Sequence, residues 1–105
     1  MFGFEQPALE PLDAREPLVD VINEAQQVRV VAELPGVEKS DIKTTISEDT
    51  LTIRVDAAAR KYYKEVPLPA HVDPDSSKAS YNNGVLEITL RKLQPRPKGK
   101  EIRIE

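Results

Sequence analysis

No cysteine occurs among the 105 residues, so neither a disulfide framework nor a thiolate metal site is open to this chain. The absence agrees with a reducing compartment. The single histidine, His71, sits between Pro69-Ala70 and Val72-Asp73. Metal and nucleophilic sites need partners of matched chemistry, and with no second histidine or cysteine His71 reads as a turn or solvent residue. The four glycines are scattered and form neither G-x-G-x-x-G nor a P-loop, the two common phosphate cradles. No apolar run approaches the ~18 residues that span a bilayer. The opening Met1-Phe2-Gly3-Phe4-Glu5 has neither the basic nor the apolar region of a secretory signal. These absences predict a cytoplasmic protein with no catalysis, no cofactor, no metal and no membrane partner.

What is present suits one domain. The chain is 39% hydrophobic and 31% charged, and this length allows burial of about 60–70% of the unfolded surface. The net charge of −3 is unevenly spread. Glu5, Glu10, Asp13, Glu16 and Asp20 face Arg15 alone in the first twenty residues, whereas Arg91, Lys92, Arg96, Lys98, Lys100 and Arg103 crowd the last fifteen. Such a basic end can contact phosphates, but no aromatic residue accompanies it for base stacking. A solvated tether is the better reading, with no nucleic-acid partner.

Period-two alternation dominates the middle of the chain. Val28, Val30, Ala32 and Leu34 fall on one face opposite Arg29 and Glu33. Ile42, Thr44 and Ile46 alternate with Lys43, Thr45 and Ser47; Leu51, Ile53 and Val55 with Thr52, Arg54 and Asp56; Leu86, Ile88 and Leu90 with Glu87, Thr89 and Arg91. This is the pattern of half-buried strands with one wet face. Weaker strand candidates are 18–22, 61–66 and 77–81. Pro35-Gly36 fits a type II turn, Asp73-Pro74-Asp75 another turn, and Asn83-Gly84 a two-residue hairpin. Residues 37–41 allow one helical turn. The sum is an all-β antiparallel sandwich of about seven strands. Both ends differ: Pro7, Pro11 and Pro17 interrupt the start, and Pro95, Pro97 and Gly99 the end. The expected division is a flexible arm over 1–16, a domain over 17–92, and an extension over 93–105.

Within that pattern the sequence resembles the small heat-shock protein family, built on the α-crystallin (Hsp20) domain. Glu33-Leu34-Pro35-Gly36-Val37 followed by Asp41-Ile42 is similar to the turn after that domain's third strand. Ala79 through Ile88 is similar to its A-x-x-x-x-G-V-L signature, with Gly84, Val85 and Leu86 in place. Val66-Pro67-Leu68-Pro69 fits the approach to the signature, and Ile102-Arg103-Ile104 resembles the family's terminal I-x-I motif. The resemblance implies an immunoglobulin-like sandwich in which Tyr81 and Ala79 point inward with Leu86 and Ile88. It also implies an ATP-independent holdase: a chaperone that binds unfolding client proteins without turnover and self-associates.

Ile102 and Ile104 are the only large apolar residues after Leu93, and residues two apart in an extended chain share a side. Such a pair can add to a sheet edge and fill two adjacent pockets. The resemblance places their dock on a neighbouring subunit between strands at about 42–48 and 77–81, with Thr44, Ile46, Ser76 and Lys78 as lining candidates. The alternative is a last strand on their own sandwich, since residues 93–101 reach roughly 30 Å at ~3.3 Å each. Phe2 and Phe4 are the only phenylalanines and lie outside the strand region. With Leu9 and Leu12 they are candidates for client contact, as the family's variable arm implies; packing on the sandwich is the other reading.

One departure bears on assembly. Bacterial, plant and archaeal members carry an extra strand between the fifth and seventh that crosses to a partner. Here Asp56 to Lys61 alone joins two strands, a reach of at most about 20 Å, too short for a strand of ~5 residues and its linkers. A swapped dimer is therefore not expected. A monomeric adaptor of the CS-domain kind, or like the domain appended to arsenical-pump-type ATPases, is the alternative.

Overall fold

A computed structural model describes residues 14–93. The expectations for Phe2, Phe4, Leu9, Leu12, Ile102 and Ile104 lie outside the described residues. Seven strands follow one another: β1 (Leu18–Asn23), β2 (Gln27–Glu33), β3 (Ile42–Ile46), β4 (Thr50–Asp56), β5 (Lys61–Pro67), β6 (Lys78–Asn82) and β7 (Val85–Arg91). They form two antiparallel sheets, one ordered β1-β2-β7-β6 and the other β3-β4-β5. The only helical turns among the described residues are 3-10 turns at Lys39–Asp41 and Pro74–Ser76, where one helical turn and one tight turn were expected.

The alternating positions close the core. Val28, Val30 and Ala32 of β2 and Leu86, Ile88 and Leu90 of β7 face Leu51, Ile53 and Val55 of β4, with Tyr62 and Val66 of β5. Burying each such aliphatic side chain stabilises by roughly 1.5–3 kcal/mol. Apart from the hydroxyls of Tyr62 and Tyr63, no polar or charged side chain is buried among the described residues, so the sheets meet through apolar packing. On the wet face of β2, Arg29 bonds Glu24 and, at 3.0 Å, Glu87 of β7.

The turns obey their chemistry. Asn83 and Gly84 both have positive φ, 51° and 81°, as a type I′ hairpin requires, and Asn82 pairs with Val85 across it. Gly36, at φ 82°, is the left-handed residue of a type II turn after Pro35. The two turns meet: the backbone of Leu34 donates to Gly84 O at 2.7 Å, and a Cβ on Gly84 would lie 3.4 Å from Pro35 Cα.

The N-terminal side differs from expectation. Arg15 donates from its backbone to Lys61 O and accepts from Tyr63 N, each at 2.9 Å, a parallel bridge on the outer edge of β5. Pro17 is buried, and without an N–H it cannot extend that bridge. The expected arm boundary at residue 16 thus falls within chain already held against the sandwich.

Candidate functional site

The Arg15 bridge decides how the sheets lie over each other. Arg15 runs directly from β5 into β1, so β5 and β1 share one side of the sandwich. The opposite ends of the two sheets, β3 and β6, therefore share the other side.

Hydrogen-bond parity shows what those two edges present. Ser47 N donates to Thr50 O, which makes Thr45–Thr52 and Lys43–Arg54 the bonded pairs of the β3–β4 register. The backbone groups of Ile42, Thr44 and Ile46 then project from the free edge. Leu34–Gly84 is a bonded pair of β2 and β7, and by the same count β6 bonds β7 through Lys78, Ser80 and Asn82. The backbone of Ala79 and Tyr81 therefore projects from the other edge. The same five residues turn their side chains to the inner face, since they oppose buried β4 and β7 residues. The result is a slot whose rims, among the described residues, carry unpaired backbone, with uncharged side chains between.

Its middle is open. Thr44 and Ala79 are exposed although both face inward, while Ile42, Ile46 and Tyr81 are half-buried against the core. Tyr81 is locked: its hydroxyl lies 2.6 Å from Leu34 O and 3.0 Å from Val37 O, donating into the turn between β2 and β3. The inward orientation expected for Ala79 holds by register, and Ala79 is exposed because it stands on the sheet edge.

The four lining candidates divide. Thr44 and Ile46 stand on the slot wall. Lys78 opposes Thr89 and turns to the outer face, one residue out of phase, and Ala79 takes its place. Ser76 is occupied elsewhere: its hydroxyl donates to Asp73 O at 2.7 Å and accepts from Arg91 N at 2.9 Å, pinning the end of β7. Sequence reasoning named neither Ala79 nor Ile42 as lining. The Asn83-Gly84 hairpin held the signal, since counting back from a two-residue turn fixes the phase of β6.

Charge lies away from the slot. The side-chain bond from Gln27, and then Arg29, hold the Glu24 carboxyl below its ordinary value. A bond from Lys61 at 2.9 Å does the same for Asp56. Glu87, then Glu24, raise the Arg29 guanidinium. An open cleft of about 340 Å³ beside the β4–β5 connection is lined by Arg15, Ala58, Ala59, Arg60 and Lys61, cationic where the slot is neutral. No group of three histidine, cysteine, aspartate or glutamate residues is arranged for a metal ion among the described residues, and no helix there is long and apolar enough to cross a membrane.

Residues 20–105 match the Hsp20/alpha crystallin family. The chain belongs to that family, whose members are non-enzymatic heat-shock proteins, typically chaperones, that bind clients and form oligomers. It is similar to the probable 15 kDa heat shock protein of Leptospira interrogans, with 29% identity over 96% of this chain and 88% of that one. It is also similar to a chloroplastic small heat shock protein of Pisum sativum, at 29% over 71% of this chain and 38% of that one. In structure it resembles heat shock protein 16.0 of Schizosaccharomyces pombe: TM-score 0.72, 26% identity, covering 93% of this chain and 81% of that chain.

Proposed function

We propose that this protein is an ATP-independent holdase whose subunits link by seating Ile102 and Ile104 of one copy in the β3–β6 slot of another. The observation that carries the reading is the slot itself. It offers backbone donors and acceptors on both rims and an opening at Thr44 and Ala79 between half-buried Ile46, Ile42 and Tyr81. An extended segment with two apolar side chains on one face is what such an edge receives. Clients are captured through Phe2, Phe4, Leu9 and Leu12 by reversible burial of apolar surface, worth roughly 25 cal/mol per Å², which needs no nucleotide. The work is placed in the cytoplasm, although the pea relative is chloroplastic by name.

The short connection after β4 shapes the assembly. Only residues 57–60 lie between β4 and β5, closed by a 3.0 Å bond from Ala57 N to Arg60 O. We take this as a loop lacking the family's swapped strand. The same observation favours a second reading, a weakly associating adaptor on the same sandwich.

Light scattering from a heated client separates the two. Excess protein should suppress aggregation equally with and without ATP, and removal of residues 1–13 should weaken suppression. A chain that leaves the client's scattering unchanged is an adaptor and no holdase.

A further inference from the structure

Among the described residues, β1 is the one sheet edge left undefended. The β5 edge carries Arg15 and ends in Pro67, and β3 and β6 face each other across the slot. Exposed edges are ordinarily blunted by lysine, proline or a bulge. β1 has none of these: its six residues read Leu-Val-Asp-Val-Ile-Asn, with Asp20 the single charge. Leu18 is 70% exposed and Val21 38%.

Parity again identifies the free groups. Glu24 N donates to Gln27 O, so Ile22–Arg29, Asp20–Val31 and Leu18–Glu33 are the bonded pairs with β2. The backbone of Val19, Val21 and Asn23 points outward, and among the described residues no hydrogen bond engages it on that side.

We propose that β1 pairs antiparallel with β1 of a second copy of this chain, about a two-fold axis through Val21. The register is selected by charge. Outward residues must oppose outward residues, so only axes through whole residues are allowed. An axis at Asp20 sets two Asp20 carboxylates against each other, and one at Ile22 sets Asp20 against Glu24; like charges directly opposite are destabilising. An axis at Val19 overlaps barely three residues of strand before Pro17, which has no N–H to give. The axis at Val21 puts Val21 against Val21, Val19 against Asn23, Asp20 against Ile22 and Leu18 against Glu24. No like charges meet. Val21 and both Val19–Asn23 pairs each exchange two backbone bonds, and the two four-stranded sheets become one continuous sheet. A second copy fits the edge because the strand is complementary to itself in this register.

The test uses the full chain carrying I102A and I104A, so that tail docking does not contribute and its failure is read separately. In sedimentation this chain should show a monomer–dimer equilibrium. Val21→Pro deletes an outward N–H and no bond to β2, so it should weaken dimerisation at least tenfold with the melting midpoint little changed. The chain has no native cysteine, which permits a second measurement independent of proline tolerance. Opposed Val21 Cα atoms would lie about 5.5 Å apart, within disulfide reach, whereas the two Asn23 positions would be ~14 Å apart. Oxidised Val21→Cys should run as a covalent dimer and Asn23→Cys as monomer. The proposal is overturned if the tail-altered chain is monomeric at every concentration, if Val21→Pro leaves the mass unchanged, or if both cysteines cross-link alike. Loss of client suppression with unchanged mass would assign the edge to clients and equally overturn it.

Discussion

Tyr81 joins the identity of the fold to the shape of the slot through one hydroxyl. Its O–H donates to Leu34 O at 2.6 Å, with Val37 O a second acceptor at 3.0 Å, while its ring forms part of the slot wall. Tyr81→Phe removes the donor and keeps the ring, and should cost about 1–2 kcal/mol in denaturant unfolding with the far-UV spectrum unchanged. Acid acts at the same scale. Glu24 and Asp56 have carboxyl pKa values lowered in the folded chain, by Gln27 and Arg29 and by Lys61 respectively. A lowered folded pKa contributes stability that is complete above the unfolded carboxylate pKa and is lost as pH falls through the folded one. The melting midpoint should therefore be level from neutrality to the top of the carboxylate range and fall below about pH 4. The double variant Glu24→Gln, Asp56→Asn should melt slightly lower than the parent at pH 7, and the gap should close as the parent's carboxyls protonate. The gap is small because these pairs are solvent-exposed.

At the scale of elements, β3 and β6 act through what they leave unpaired. Thr44 stands exposed in the middle of the slot, so Thr44→Trp fills it without disturbing the β3–β4 register. The average mass at fixed concentration should then fall toward that of the I102A/I104A chain, and combining the changes should lower it no further. A Thr44→Trp chain of parental mass would detach the tail from the slot. The strands were legible before the structure because alternation and burial are the same signal: each of the four strongest patterns is a strand with its apolar side inward. The phase of β6 was less legible. Its sequence, Lys-Ala-Ser-Tyr-Asn, has only one large apolar residue, and an edge strand half uncovered needs no more, so Lys78 and Ala79 are hard to separate by pattern alone.

For the whole molecule, a tail link of two isoleucines has roughly 3–6 kcal/mol of gross burial before the cost of ordering the extension. One such link is near millimolar or weaker. Larger species then require several links at once, and a second contact such as β1 pairing multiplies their effective concentration. Small, concentration-dependent assemblies are the expected outcome in sedimentation, shifting downward when Ile102 and Ile104 become alanine. The sequence alone determined the sandwich, its strands and its turns, because alternation, Pro35-Gly36 and Asn83-Gly84 are local statements enforced within a few residues. Tertiary structure decided which edges are open. Arg15 closes β5 by bridging to Tyr62, 47 positions away in sequence, the stacking of two sheets places β3 beside β6, and parity carried across three strands turns Ala79 inward and Lys78 out. Edge availability depends on what lies beside a strand in space, which no window of consecutive residues contains.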